Sequence, residues 1–272
     1  MTTQRCILIT GASGGLASAA IDLLTRFNYH VFAADINPEV VERYRDNPFV
    51  SALVMDVTDS DAVKKAYDTI AGEATGLDAV IHLAGKLAVG SVAEMPVEDA
   101  RNILDVNLIG VYNVNKQFLS LVLNRKGRII IISSENARQT AVPFNGIYAL
   151  SKYALEAYSD ALRRELAFHG VRVIKVRPGP FKTPMTRSTV VLFAETEKQS
   201  MLFKRNIAKG SGYLPGVYEK AHDPALMAKR ILKIIQSRNP RTAYNIKHDI
   251  PRTLLELLPV RWADALVKRV LG

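Results

Sequence analysis

A doubly wound α/β fold, with a parallel sheet covered by helices on both faces in one domain over residues 1–272, is predicted by three observations. Short apolar runs alternate with stretches of helical periodicity from the start of the chain, the pattern of successive βαβ units. Arg128–Ile132 carries four consecutive isoleucines, the composition of a strand buried on both faces, and residues 171–176 repeat that character. A glycine-rich turn separates the first apolar run from the first helical one.

The run 6–9 ends in Thr10-Gly11 and reads as the first strand. Residues 17–27 follow as a helix, with Ala20, Leu23, Leu24 and Phe27 at helical spacing. Further strands are expected at 30–34, 50–55, 79–83, 128–132 and 171–176, and helices at 62–71, 100–123 and 148–168. Beyond Pro178-Gly179 the pattern loosens. Residues 180–217 hold three prolines, three glycines and two apolar bursts, at 190–193 and 201–203. A loop of that length is functional or disordered, and its apolar content predicts a partly helical lid over a lipophilic site. A helix is expected at 223–235, where Asp223-Pro224 suits a first turn. Residues 251–272 form a basic amphipathic segment. Trp262, Leu266, Val267 and Val270 share one stripe, with Arg261, Asp264, Lys268 and Arg269 away from it. Such a segment lies in a membrane interface, or packs over the lid or a neighbouring subunit.

Hydrophobic residues make up 48% of the chain, enough for a substantial core and too many for a disordered protein. No run reaches the ~18 apolar residues of a membrane span, and no secretory signal is expected. The one cysteine, Cys6, lies in an apolar run and reads as core, which fits a reducing, cytoplasmic setting. The five histidines are scattered and no metal is expected. Of the +10 net charge, none arises in residues 1–197, where 21 basic and 21 acidic side chains balance; residues 198–272 hold 15 basic and 5 acidic. A general nucleic-acid binder is thereby disfavoured. The localised excess suits an anionic membrane surface, an acidic substrate handle or a solvated basic face.

Three motifs carry chemistry. Thr10-Gly11-Ala12-Ser13-Gly14-Gly15-Leu16-Ala17 sits between strand and helix, where main-chain N–H groups and the helix dipole hold a pyrophosphate. Asp35 follows the second strand, about 20 residues beyond the glycines. A carboxylate there accepts hydrogen bonds from both hydroxyls of an adenosine ribose and repels a 2′-phosphate. NAD is therefore expected over NADP. Tyr148 and Lys152 stand at i and i+4, so they share a helix face; the ammonium is expected to draw the phenol pKa down and make it a general acid or base. Ser133 and Ser134 follow the isoleucine strand and place hydroxyls at the sheet edge where such folds bind ligands.

Together these motifs resemble the short-chain dehydrogenase/reductase family, in its single-domain Rossmann-type branch, over residues 4–185. Gly11, Ser13, Gly15 and Leu16 resemble its nucleotide turn, with Ala17 in place of the last glycine, and Asp56-Val57 resembles its adenine-contacting pair. His82-Leu83-Ala84-Gly85 stands where the family shows Asn-Asn-Ala-Gly, so a strand-linking asparagine is missing. Asn107 matches the family's fourth catalytic residue, and Pro178 to Thr183 its nicotinamide-capping segment. The resemblance implies that Tyr148 takes the substrate hydroxyl proton while hydride moves to the nicotinamide. It implies that Lys152 supports Tyr148 and bonds the nicotinamide ribose, that Ser134 holds the substrate oxygen, and that Asn107 fixes a water linking Lys152 to solvent. Ser134 lies 14 residues before Tyr148 where many relatives have 13 or 12, so Ser133 stays open.

Residues 143–148 and 154–166 are similar to hydroxysteroid and retinol dehydrogenases, which with the lid implies a bulky lipophilic secondary alcohol or ketone. A homodimer or homotetramer is expected through the helices at 100–123 and 148–168. Two other readings are a non-catalytic NAD-binding regulator and a sugar-nucleotide epimerase. Both tyrosine and lysine are present, against the first, and too few residues follow 185 for the second.

Overall fold

The apolar runs pair as strands β1 (Arg5–Thr10), β2 (Tyr29–Asp35), β3 (Val50–Val54), β4 (Ala79–His82), β5 (Arg128–Ile132) and β6 (Arg172–Pro178), joined by an unanticipated β7 (Ala243–Ile246). The computed structural model describes residues 4–272. The seven strands form one sheet in the order β3-β2-β1-β4-β5-β6-β7, every pair parallel. Strand order reverses between β1 and β4. Chains leaving those two carboxyl ends diverge, and a crevice opens there.

The helices are α1 (Gly15–Arg26), α2 (Glu39–Tyr44), α3 (Ser60–Glu73), α4 (Val97–Leu104), α5 (Gly110–Arg125), α6 (Gly146–Leu166), α7 (Pro184–Gln199), α8 (Lys204–Ser211), α9 (Leu214–Glu219), α10 (Pro224–Gln236), α11 (Ile250–Leu255) and α12 (Val260–Leu271). The isoleucine strand shows how the layers are built. Ile130 and Ile132 join the core formed with α1 and α10, through Ile21, Leu24, Ile231 and Ile235. Ile129 and Ile131 join the opposite core, with Ile70, Phe118 and Leu155 from α3, α5 and α6. Each such side chain contributes roughly 1.5–3 kcal/mol when fully buried, on both faces of the sheet.

The helix expected at 100–123 is interrupted. A π-helical turn, Asp105–Ile109, separates α4 from α5 and holds Asn107 fully buried. The extra residue in that turn rotates the side chains that follow it, as π-turns at functional sites often do. The stretch 180–217 is mostly helix, in α7, α8 and α9. Thr183 and Asp223 cap α7 and α10, each accepting a main-chain N–H of the first turn.

A buried ionic cluster ties α6 to β6. Glu156 accepts from Arg177 Nε at 2.8 Å and Nη2 at 2.6 Å, and from Lys175 Nζ at 3.0 Å. Lys175 also reaches Asp160 at 2.8 Å. Burial pushes the Glu156 carboxyl up, but hydrogen bonds from Arg177 and Lys175 outweigh it and hold the group below its ordinary value.

Candidate active site

The glycine turn leads from β1 into α1 at the mouth of the crevice. Gly11 has φ +70, and a Cβ there would stand 2.6 Å from the Ala84 nitrogen, so the turn and the end of β4 touch main chain to main chain. Only glycine fits that approach. Gly15 and Leu16 open α1, whose N-terminus carries no acidic side chain in its first turn, leaving its dipole unopposed toward an anion.

Asp35 ends β2 and is 9% exposed. Its Oδ2 accepts the Ser13 N–H and its Oδ1 the Asn37 N–H, both at 2.8 Å. The carboxylate thus braces the glycine turn while keeping further lone pairs for other donors. A feature not anticipated is Arg43 of α2, which donates to the Ser13 carbonyl at 3.0 Å. The sequence has no basic residue inside the turn, but folding brings a guanidinium to it. Asp56 uses Oδ1 to accept from the Thr58 N–H and hydroxyl, both at 2.8 Å. Val57 is buried, and Asn113 Nδ2 donates to its carbonyl at 3.2 Å.

Tyr148 and Lys152 lie on α6 beside the end of β5. The Ser134 side chain lies beside the Tyr148 hydroxyl in the crevice. Ser134 also accepts the Asn136 N–H at 3.2 Å. Ser133 lies beside Glu156 instead, so the geometry brings Ser134, rather than Ser133, to the phenol. Lys152 Nζ stands 5.8 Å from the centre of the Tyr148 ring and donates to the Ile132 carbonyl at 3.1 Å.

The electrostatics correct one expectation. Tyr148 is not drawn down by Lys152; burial pushes its phenol above the ordinary value, the nearby Ser134 hydroxyl pulls it down, and Glu135 adds to the rise. Lys152 is pushed down to about 8 by loss of solvent, against a smaller upward pull from Glu156. In a dry pocket each charged form loses more hydration than its neighbour restores.

Asn107 does not bond Lys152. Its Oδ1 accepts the Lys86 N–H at 2.7 Å, and its Nδ2 donates to the Lys86 carbonyl at 2.9 Å and to Ser151 Oγ at 3.0 Å. The side chain thereby clamps the segment after Gly85 to α6. His82 takes a different role from the asparagine it replaces. Its Nε2 meets Asn115 Oδ1 at 2.8 Å, and Asn115 Nδ2 donates to the Tyr158 hydroxyl at 3.1 Å. The link joins β4 to α5 and α6, not strand to strand, and desolvation pushes the imidazole down to about 4.

The far wall comes from Pro178 to Thr183. Gly179 packs on the chain leaving β7, where a Cβ would meet the Lys247 carbonyl at 2.0 Å. Thr183 and Pro184 stand against Gly15 across the crevice, and the Thr183 hydroxyl caps α7. The crevice encloses about 450 Å³ and runs from Gly11 past Tyr148 to the carboxyl-terminal segment. Beyond Tyr148 it is lined by Leu87, Val89, Val142, Phe193, Leu214 and Val217, an apolar set drawn partly from α7 and α9.

Two polar residues of that wall escaped the sequence reading. Glu135, 7% exposed, accepts the Asp249 N–H at 2.7 Å. Arg252 Nη1 bonds Asn136 and stands 3.9 Å from Glu135, while its buried Nη2 has no hydrogen-bond partner. Glu135 beside Ser134 was the one visible signal. Its partner lies 114 residues away, a distance no local pattern spans.

Comparison with known proteins agrees with this geometry. The profile described as short chain dehydrogenase matches residues 5–191. The chain is 29% identical over 265 residues to the probable short-chain type dehydrogenase/reductase VdlC of Helicobacter pylori, covering 97% of this chain and 96% of that protein. It is 31% identical over 284 residues to human 17-beta-hydroxysteroid dehydrogenase type 6, covering 98% and 88%. A solved short chain dehydrogenase from Burkholderia cenocepacia in complex with NADP superposes with a TM-score of 0.73 at 22% identity, covering 99% and 98%. With a parallel sheet reversing at β1 and β4, a glycine turn at its crevice and a match over residues 5–191, the chain belongs to the short-chain dehydrogenase/reductase family of oxidoreductases.

Proposed function

We propose that this crevice interconverts a bulky, lipophilic secondary alcohol and its ketone with NAD as hydride partner. The observation that carries the reading is the convergence of Ser134, Tyr148 and Lys152 on one crevice, with Lys152 over the Tyr148 ring, placed between the glycine turn and an apolar cavity. The crevice suits a nicotinamide dinucleotide, because the Gly11 approach to Ala84 leaves a main-chain cradle and the α1 N-terminus faces it without a competing acid. When bound, that cofactor gives or accepts the hydride.

Gly11, Ser13, Gly15 and Leu16 would hold the pyrophosphate, and Asp35 would hold the adenosine ribose. Asp56 and Val57 would border the adenine, Ala84 and Gly85 would line the path between, and Pro178 and Thr183 would flank the carboxamide. Ser134 orients the substrate oxygen. Tyr148 takes the hydroxyl proton in oxidation and returns it in reduction. Lys152 steadies the charge on Tyr148 and would bond the nicotinamide ribose, and Asn107 keeps both on a rigid α6. The helices over 180–217 act as the substrate lid, contributing Phe193, Leu214 and Val217.

The same reading gives a homodimer or homotetramer through α5, the π-turn before it and α6, where Ile109, Tyr112, Leu150 and Tyr153 are exposed. Light scattering checks it, and a clean monomer contradicts it. The protein is read as cytoplasmic, with its basic carboxyl-terminal segment free to touch a membrane surface. The enzymatic reading is tested by Tyr148→Phe, assayed with NAD and a panel of lipophilic secondary alcohols. Turnover should disappear while NADH binding stays within about twofold, since one hydroxyl is removed and the fold is kept. Undiminished turnover would refute the assignment.

A further inference from the structure

Helix α12 leaves a row of apolar side chains in solvent. At about 100° per residue, Trp262, Leu266 and Val270 fall on one line, and they are 69%, 46% and 40% exposed. The neighbouring line, Ala263, Val267 and Leu271, is partly buried. Leu271 packs near Gly210 of α8, and Asn206 Nδ2 donates to the Leu271 carbonyl at 2.7 Å. One half of the apolar arc is therefore docked on α8, and the other half is bare. The chain before it continues the bare surface, with Leu254, Leu257, Leu258 and Val260 all exposed. A lone exposed leucine is ordinary; seven large apolar side chains within residues 254–270 mark a contact surface.

Charge selects the partner. The polar arc of α12 holds Arg261, Lys268 and Arg269 against one acid, Asp264. Residues 198–272 carry 15 basic and 5 acidic side chains, while the rest of the chain is neutral. A second copy meeting this face across a two-fold axis would bring those cations against their own images. An anionic surface pairs with them instead. Among the described residues no helix is long and apolar enough to cross a membrane, so such contact lies in the interface.

We propose that α12 and the chain joining it to α11 lie in the interface of an anionic lipid bilayer. The Trp262–Leu266–Val270 row enters the acyl boundary, and Arg261, Lys268 and Arg269 stay at headgroup level. Asp249 and Arg252, at the start of α11, line the crevice. The docked surface is thus one short connection from the cavity wall, and a substrate dissolved in the bilayer reaches the cavity from that side. That route, unlike the docking itself, rests on the lipophilic substrate proposed above.

Trp262 is the single tryptophan of the chain, so intrinsic fluorescence reports on this helix alone. The full-length protein is titrated, without cofactor or substrate, with vesicles of phosphatidylcholine alone and of phosphatidylcholine mixed with phosphatidylglycerol. Anionic vesicles should shift Trp262 emission to the blue and sediment the protein, and neutral ones should do neither. About 1 M salt, with a screening length of about 3 Å, should release it. Lys268→Ala and Arg269→Ala should each weaken partitioning about fivefold. Leu266→Asp should abolish it with thermal unfolding unchanged. Absence of a shift on anionic vesicles, or equal binding to both kinds, overturns the proposal. A shift that follows protein concentration without vesicles also overturns it and assigns the face to a second copy. No arm reads turnover, so failure here and failure of the hydride-transfer reading are separable.

Discussion

The Glu135 carboxylate accepts the Asp249 main-chain N–H at 2.7 Å, joining the residue after Ser134 to the cap of α11. Thr140 and Glu256 repeat the link at the other end of α11, through the Thr140 N–H at 2.8 Å and hydroxyl at 3.0 Å. The carboxyl-terminal segment is thereby fastened to the loop that carries Ser134. Glu135→Ala leaves a half-buried N–H unpaired, at about 1 kcal/mol. It should raise KM for lipophilic substrates more than it lowers kcat, because the cavity wall moves while Tyr148 and Lys152 stay on α6. Steady-state kinetics check the split; an unchanged KM would show that the strap does not shape the cavity.

Lys152 should titrate near pH 8 in the cofactor-free protein. Its folded pKa lies below the ordinary 10.5, so the folded state sheds this proton first. Stability from this group therefore rises as pH goes from about 8 to 10.5, and is lowest below that window. Lysine-labelled NMR should show one midpoint near 8 that is missing in Lys152→Met.

His82 should make the protein acid-sensitive. The folded imidazole is held down to about 4 from an ordinary 6.5, so below 6.5 the unfolded chain takes up a proton that the folded chain refuses. Stability from this group is full above pH 6.5, falls with pH and levels off near 4, a loss of roughly 3 kcal/mol. Denaturant unfolding across that range measures it, and His82→Asn should flatten the slope.

Glu156→Gln should cost about 3–5 kcal/mol by leaving Lys175 and Arg177 buried with reduced compensation. Thermal and urea unfolding report the loss. A change within 0.5 kcal/mol, about that of an ordinary surface substitution, would show that the cluster is not a structural tie.

The sheet was legible where strands are dry. The apolar runs that became β1, β2, β4 and β5 sit in the core on one or both faces, so burial wrote itself into the residue types. Strand β7 was not legible, because Ala243-Tyr244-Asn245-Ile246 is a short edge strand with only Ile246 buried. The helix break at Asp105–Ile109 was hidden too, since a π-turn keeps helical composition and changes only which side faces inward. Glycine turn, Asp35, Tyr148 and Lys152 were readable because their spacing is local. Arg43 at the turn, the Asn107 clamp on Lys86 and Ser151, and the Glu135–Asp249 link were not, because each depends on packing between distant segments. The direction of the Tyr148 pKa was misread for a related reason: spacing shows the neighbouring charge but not the loss of water around both groups.

The most direct test of a nicotinamide site in this crevice is calorimetric titration of the purified protein with NADH and, separately, NADPH. It needs no knowledge of the substrate. Saturable binding of NADH with a clear margin over NADPH is the predicted result, with Asp35 excluding a 2′-phosphate despite Arg43 nearby. A folded sample that binds neither dinucleotide would contradict the account at its base.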